Sequence, residues 1–255
     1  MSGIYYDVTP FVKQAELILD EANKLGITMR LLGAIAFHMK CPNYRYFHKE
    51  AKRGFTDVDF IAYLEQSNEI DKLFKSLGYQ KDRNLDSVPG IRRAIFYSNE
   101  QQWHSDVFYD VLDFCHEINF KGRLELDYPT ISLADLMLEK MQIVQINEKD
   151  IVDTLMLLRE HDIGANDRET INLEYLSDLM KSDWGLWKTF TNNLNLVQTK
   201  INTYKFLKDD DITNIKNKIY KIIKRIESEP KTVSWKLRNK IGTRIKWYKD
   251  VDDIF

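Results

Sequence analysis

Three aspartates carry the clearest chemical potential in this sequence. Asp57 and Asp59 lie in TDVDFIAYL, whose alternation of apolar and polar residues predicts a strand. Successive side chains on a strand point to opposite faces, so the two carboxylates emerge on one face, roughly 6 to 7 Å apart along the backbone. Asp106 lies in a second predicted strand, WHSDVFYDV, and a neighbouring strand would bring it to the same edge. The spacing therefore predicts three converging carboxylates.

Converging carboxylates suit magnesium bound to a nucleoside triphosphate. Mg²⁺ prefers an octahedron of hard oxygen donors and keeps several waters, so two or three protein carboxylates plus substrate phosphates match it. With two ions about 4 Å apart, one lowers the pKa of an acceptor hydroxyl and the other neutralises charge on a pyrophosphate leaving group. In this scheme Asp106 is also a candidate base.

A glycine turn supplies a second element of the predicted site. The apolar run ITMRLL ends at Gly33, and AIAFHMK begins a helix directly after it. A glycine that opens a helix lets backbone amides approach a phosphate at the positive end of the helix dipole. We therefore expect Gly33 to lie at a phosphate cradle.

Each of these signals also has a simpler interpretation. An Asp-x-Asp pair is usually a solvated strand edge, and Gly33 or Asp106 alone is more often a turn or a surface residue. Asp110 shares the strand parity of Asp106, although its position after Phe108 and Tyr109 indicates the end of the strand. We predict that Asp106 is the third carboxylate. The glycine turn, the Asp-x-Asp pair and the later aspartate, in this order, are a more specific signal of a catalytic site than any one of them alone.

The elements that must position these residues alternate between helices and strands. A helix begins at Thr9 and ends near Gly26, and further helices are predicted after Gly33 and from Ser67 to Gly78. ITMRLL, TDVDFIAYL, RRAIFYS and WHSDVFYDV are the predicted strands. This order predicts an α+β fold with a mixed sheet flanked by helices.

Beyond Pro129 the pattern becomes helical. Ser132 with Asp135 forms a capping-box pattern, and Asn147 is a typical N-cap. The two predicted helices span residues 133–145 and 148–160.

The composition divides the chain into a predicted catalytic domain, residues 1–128, and a predicted helical domain, residues 129–255. A clean helical stripe in the second is formed by Ile212, Ile215, Ile219, Ile222, Ile223 and Ile226.

The C-terminal segment SWKLRNKIGTRIKWYKD is both basic and aromatic. Its cations would suit RNA phosphates and its rings would suit base stacking. A solvated helix face with core tryptophans explains the same pattern, and both interpretations stay open. The residues are Lys236, Arg238, Lys240, Arg244, Lys246 and Lys249, around Trp235, Trp247 and Tyr248.

Composition narrows the class of protein. The 255 residues carry 37 Lys plus Arg and 39 Asp plus Glu, so a formal net charge of -2 indicates neither a general nucleic-acid coat nor an acidic tail. Cys41 and Cys115 lack the spacing of a zinc site, and no apolar run is long enough to cross a bilayer. The start MSGIYYDVTP has no secretory pattern. We expect a cytoplasmic protein without a membrane span.

In sequence order, LLGAIAF, FTDVDFIA and WHSDVFYD resemble the nucleotidyltransferase superfamily. The pattern of that superfamily is a Gly-Gly or Gly-Ser turn, then an Asp-x-Asp strand, then a third Asp on a later strand. The following segment, LEKMQIVQINEKDIVDTLMLLREH, is most similar to minimal prokaryotic members related to AbiEii-type toxins. The resemblance covers roughly residues 28 to 161.

The resemblance implies a role for each matching residue. Gly33 and Ala34 would contact the phosphates of a nucleoside triphosphate donor such as ATP, and Lys140 would match a helix lysine near the triphosphate. Asp57 and Asp59 would hold Mg²⁺ ions, and Asp106 would complete the metal site.

The sequence departs from the superfamily pattern in two places. Ala34 stands where Gly or Ser is usual, which removes a hydroxyl contact to phosphate. The stretch between Gly33 and Asp57 is longer than the common spacing and contains CPNYRYFHKEAKRG. This cationic and aromatic segment would fold over the nucleotide, hold an acidic acceptor, or form a solvated surface loop.

The predicted reaction is Mg²⁺-dependent transfer of a nucleoside monophosphate to a hydroxyl acceptor with release of pyrophosphate. One hypothesis is a toxin-like enzyme that acts on tRNA or a protein. A second is a small-molecule enzyme of the aminoglycoside-modifying kind. A third is a non-catalytic binding protein on the same fold.

Overall fold

The computed structural model describes residues 6–85, 90–98 and 103–251. The chain divides into two compact units. The first contains residues 1–112 and 118–132, and the second contains residues 113–117 and 133–255. The predicted division after residue 128 differs from this one at residues 113–117 and 129–132.

The first unit contains a five-stranded mixed sheet with the strand order β1-β2-β5-β4-β3. Strands β2 and β5 run parallel, and the other neighbouring pairs run antiparallel. The predicted α+β class with a mixed sheet is therefore confirmed. The strands are β1 Met29–Leu32, β2 Asp57–Ala62, β3 Tyr79–Lys81, β4 Arg93–Ser98 and β5 His104–Tyr109.

Four α-helices lie in the described part of this unit, and three of them were predicted. Pro10 stands in the first turn of α1, and Gly26, with φ 69°, follows the end of that helix. The short helix α3 and the short strand β3 were not predicted. The helices are α1 Thr9–Lys24, α2 Gly33–Lys40, α3 Tyr46–Glu50 and α4 Ser67–Ser76.

Aromatic packing covers one face of the sheet. The ring of Phe74 on α4 stacks on Phe96 at a centroid distance of 4.0 Å and meets Phe60 edge-on at 6.3 Å. Phe60 follows Asp59 in β2, so the two side chains point to opposite faces. Packing of this hydrophobic face thus fixes the orientation of β2, and the carboxylates of β2 lie on the other face of the sheet.

Two short strands, β6 Val111–Asp113 and β7 Glu117–Asn119, form a separate two-stranded sheet. The described residues of the second unit from Leu133 onward are mainly helical and include one parallel strand pair, β8 Asp162–Gly164 and β9 Thr170–Asn172. Its helices are α5 Leu133–Met141, α6 Glu148–Glu160, α7 Leu173–Ser182, α8 Trp184–Lys200, α9 Asp209–Ser228 and α10 Val233–Ile241. None of the helices in the described ranges is long and apolar enough to cross a membrane.

The two helices predicted after Pro129 are present, with one correction. Helix α6 begins where Asn147 predicted, and Asn147 and Asp150 form a reciprocal capping box. Helix α5 ends at Met141, whereas the prediction extended to residue 145. The side-chain amide of Asn193 donates to the carbonyls of Met141 and Ile143, which satisfies the end of the helix at that point.

The isoleucine stripe and the tryptophans build the core of the second unit. Ile215, Ile219, Ile222 and Ile226 of α9 are buried. Trp235 of α10 is buried and meets Trp187 at a centroid distance of 4.9 Å. Trp247 Nε1 donates to Thr189 Oγ1 at 3.0 Å. These contacts match the interpretation of the C-terminal segment as a helix face with packed tryptophans.

Candidate active site

The turn at Gly33 lies directly against Asp59. Gly33 has φ 70°, in the left-handed region, and a Cβ at this position would stand 2.1 Å from Asp59 Oδ2. No side chain fits in that space, so both the backbone conformation and the close approach require glycine. Because Gly33 is the first residue of α2, the Asp59 carboxylate lies beside the amino end of that helix.

The register of the sheet brings Asp59 and Asp106 side by side. They are directly paired on the parallel strands β2 and β5, and Asp57 is paired with His104 in the same way. Paired residues on neighbouring strands share a face, and the strands lie about 4.8 Å apart. Asp57, Asp59 and Asp106 therefore share one face of the sheet, and their convergence on a metal ion stays a prediction.

Asp106 is the most buried of the three carboxylates, with 2% of its surface exposed. Its Oδ2 accepts a hydrogen bond from Arg93 Nη2 at 2.5 Å, while its Oδ1 is buried and has no hydrogen-bond partner among the described residues. Burial raises the pKa of Asp106 above its ordinary 3.8, although the interactions with Arg93 and His104 oppose the rise. The negative charge of Asp57 adds to the rise, which indicates that Asp57 is near enough to interact with Asp106.

Two neighbours of Asp106 were not predicted as site residues. Arg93 reaches it from β4, and its guanidinium also lies 5.3 Å from the ring centroid of Phe108. His104 Nε2 lies 3.9 Å from Asp106 Oδ2. His104 precedes Asp106 by two residues, so strand parity contained a signal for it. Arg93 gave no such signal, because its position depends on how β4 pairs with β5.

Asp110 lies beyond the end of β5, as its sequence position indicated. It has φ 60°, accepts a hydrogen bond from the Leu64 amide at 3.1 Å and contacts Arg92 at 3.4 Å. These contacts belong to the connections at the strand ends. Asp106, and not Asp110, is paired with Asp59.

Lys140 lies among carboxylates of its own unit. Its Nζ is 3.0 Å from Glu139, 3.4 Å from Asp153 and 3.7 Å from Asp150, and only 8% of the residue is exposed. A contact between Lys140 and a triphosphate, as the resemblance implied, would have to be shared with these three partners.

The donor set fits magnesium, although the described residues contain no group of three His, Cys, Asp or Glu side chains arranged to hold a metal ion. Mg²⁺ is usually held by one or two carboxylates with waters and substrate phosphates, so a preformed protein cage is not required. The unpartnered, buried Oδ1 of Asp106 is an available hard oxygen donor. The turn at Gly33 leaves room for the Asp59 carboxylate beside it. Ala34 is buried and brings no hydroxyl to the turn.

Comparisons with known proteins give a weak structural similarity and no family. The chain matches no protein-family model and no curated protein. Among solved structures it is similar to the antibiotic-resistance factor ANT(2'')-Ia, with 12% sequence identity and a TM-score of 0.43. The similarity covers 68% of this chain and 95% of that chain. A likeness this weak does not identify a reaction.

Proposed function

We propose that the first unit is a Mg²⁺-dependent nucleotidyltransferase that transfers a nucleoside monophosphate from a nucleoside triphosphate to a hydroxyl acceptor and releases pyrophosphate. The observation that carries this proposal is the pairing of Asp59 with Asp106, together with the glycine turn against Asp59 Oδ2. A glycine turn, an Asp-x-Asp strand and a third aspartate on the neighbouring strand are the elements that the sequence resemblance also requires.

The metal would be held by Asp59 and Asp106, with Asp57 as the third carboxylate. When bound, Mg²⁺ would neutralise charge on the triphosphate and lower the pKa of the acceptor hydroxyl. Gly33 and Ala34 would present backbone amides of the first turn of α2 to the phosphates. Lys140 is kept as a secondary candidate for phosphate binding, because its ammonium already has carboxylate partners.

Asp106 is the candidate base. A carboxyl group whose pKa is raised by burial binds a proton more readily than an exposed one. In this alternative role, with the metal held by Asp57 and Asp59, Asp106 Oδ1 has no hydrogen-bond partner among the described residues and is the atom at which the proton of the acceptor hydroxyl would be held. Arg93 holds the other oxygen and fixes the orientation of the carboxylate.

One observation favours a different function, a binding protein that does not catalyse transfer. The Arg93 guanidinium already neutralises Asp106, so this carboxylate has a structural partner in the absence of any metal. If Arg93 and Asp106 form a purely structural pair, Arg93→Gln should lower the stability of the first unit. The wild type should then transfer no nucleotide.

The acceptor stays a proposal with three classes, tRNA, protein and small molecules. Incubating the chain with Mg²⁺ and each of the four labelled triphosphates, with total RNA, total protein and aminoglycosides as separate acceptors, tests both the reaction and the acceptor. Asp59→Asn and Asp106→Asn should each reduce transfer by roughly 10²- to 10⁴-fold. Asp20→Asn, an equivalent change at an exposed position of α1, should leave transfer unchanged. Equal transfer in all four proteins, or no transfer to any acceptor, would contradict the proposal.

A further inference from the structure

The long stretch between α2 and β2 forms one wall of a pocket in the first unit. The pocket has a volume of about 400 Å³, within the range of small-molecule sites. Its lining residues include His38 from α2, His48 and Lys49 from α3, and Lys52 and Arg53 from the turn that follows. Gly33, Asp57, Asp59 and Asp106 do not line it. We call it the α2–α3 pocket.

The α2–α3 pocket is strongly cationic in a chain whose formal net charge is -2. Arg45, Lys49, Lys52 and Arg53 line it, and Asp7 is the single carboxylate among the lining residues. Arg45, Lys49 and Lys52 form no ion pair with any carboxylate of residues 6–85, 90–98 and 103–251. These three cations, gathered around one concave surface without paired carboxylates among the described residues, attract an anion.

Aromatic rings form the remaining wall of the pocket. His38 and His48 are stacked at a centroid distance of 5.8 Å, and both meet the ring of Phe55, at 6.3 Å and 5.6 Å. The Arg53 guanidinium lies 5.7 Å from the centroid of Phe55. His38 Nδ1 is buried and has no hydrogen-bond partner among the described residues. A ring surface with an unsatisfied polar atom is suited to a flat, polar heterocycle.

We propose that the α2–α3 pocket is a second ligand site, separate from the three aspartates, that binds a nucleoside di- or triphosphate. Arg45, Lys49 and Lys52 would hold the phosphates, since charge-assisted hydrogen bonds to phosphate are strong. The rings would pack against the base, and His38 Nδ1 would exchange a hydrogen bond with it.

Titration calorimetry of the whole chain with ATP in EDTA tests the proposal. EDTA removes Mg²⁺, so the proposed nucleotide transfer does not contribute to the measurement. In the absence of Mg²⁺ the three aspartates repel phosphates, so they contribute no binding. The wild type should bind ATP, and the double variant Lys49→Gln/Lys52→Gln should bind it at least about tenfold more weakly, because two charge-assisted contacts are lost. Lys52 has φ 51°, and glutamine has no Cβ branch that would make this backbone more strained than lysine does.

Two controls separate this site from general electrostatics and from the aspartates. Lys72→Gln/Lys75→Gln makes the same change of charge at exposed positions of α4 in the same unit, and should bind ATP like the wild type. Adding Asp59→Asn to Lys49→Gln/Lys52→Gln should not restore the ATP binding lost in EDTA, because Asp59 does not line the pocket. A failure of nucleotide transfer with intact ATP binding in EDTA would therefore leave this proposal standing.

The class of ligand is tested by measuring the binding of tripolyphosphate and of adenosine separately. Tripolyphosphate and adenosine should each bind more weakly than ATP, because the cations and the rings contribute separately. Equal affinity for tripolyphosphate and ATP would overturn the nucleoside assignment. Unchanged binding in Lys49→Gln/Lys52→Gln, equal losses in both lysine pairs, or binding of a single-stranded RNA with none of ATP would overturn the site itself.

Discussion

Gly33 leaves open the space that Asp59 Oδ2 fills, since a Cβ on Gly33 would stand 2.1 Å from that oxygen. This contact joins the turn between β1 and α2 to the strand β2. The Asp59 carboxylate can occupy its position in β2 only because Gly33, which follows β1, has no side chain. The geometry of the site therefore depends on a single glycine.

Gly33→Ala should destabilise the first unit and disturb Asp59. The new methyl group must displace the carboxylate and must also adopt a φ near 70°, so we expect a loss about 1–3 kcal/mol greater than that of Gly26→Ala. Gly26 is the matched control, because it has φ 69° and nothing within 4 Å of its added Cβ. Chemical denaturation of both variants isolates the contact. Equal losses would show that Asp59 is not confined by the turn.

His38 should make stability depend on pH. Burial, together with the nearby His48 and Arg45, lowers the pKa of His38 from 6.5 to about 4 in the folded chain. Between these values the unfolded chain binds the additional proton, so this contribution to stability is complete above pH 6.5 and is lost as the pH falls toward 4. His38→Gln should flatten the dependence in this window.

The measurement is urea denaturation at several pH values between 4 and 7.5 for the wild type and His38→Gln. Burial also lowers the pKa of His116, in the second unit, so part of the wild-type dependence should persist in the variant. Parallel pH profiles for the two proteins would contradict a neutral, half-buried His38.

The capping box at the start of α6 should be worth about 1 kcal/mol. Asn147 accepts hydrogen bonds from the amides of Lys149 and Asp150, and Asn147→Ala removes both. We expect a loss of about 0.5–2 kcal/mol in the free energy of unfolding. Asn147→Asp should retain most of the stability, because aspartate is an equally good N-cap. If Asp and Ala cost the same, the cap does not stabilise this helix.

Lys140→Met should be among the most destabilising single changes in the second unit. It removes the cation that faces Glu139, Asp150 and the fully buried Asp153, and breaking a buried pair in this way costs about 3–5 kcal/mol. Lys200→Met is the control, since Lys200 pairs with Glu148 at the surface, where such pairs contribute about 0–1 kcal/mol.

A stable Lys140→Met protein that has lost nucleotide transfer would instead assign Lys140 to the triphosphate. Thermal melting and the transfer assay together distinguish the two roles, because a structural lysine changes the first and a phosphate-binding lysine changes the second.

The sequence was informative where local rules decide the structure. Alternation around Asp57 and Asp59 predicted their shared face, and Gly33 marked the turn before α2 because only glycine suits that backbone. The helix after Asn147 followed from its cap. Each of these features depends on residues within a few positions of one another.

Features that depend on distant residues were not predictable in this way. Arg93 reaches Asp106 through the antiparallel register of β4 and β5, which no local pattern encodes. Helix α5 ends early because Asn193, 52 residues from Met141, binds its last carbonyls. Helix α3 lies in a cationic stretch that lacks helical periodicity, so its pocket became visible only in the fold.

Asp59 and Asp106 should bind a divalent metal together with a nucleoside triphosphate. Electron paramagnetic resonance of Mn²⁺, a spectroscopic substitute for Mg²⁺, measures this in the presence of a non-hydrolysable triphosphate. Each protein compared also carries Lys49→Gln/Lys52→Gln, so that the α2–α3 pocket does not contribute to the binding. The wild type and Asp20→Asn should bind the metal–nucleotide complex equally. Asp59→Asn and Asp106→Asn should each bind it at least about tenfold more weakly, since even outer-shell changes cost this much at metal sites. Equal affinity in all four proteins would contradict the assignment of these carboxylates to a metal site.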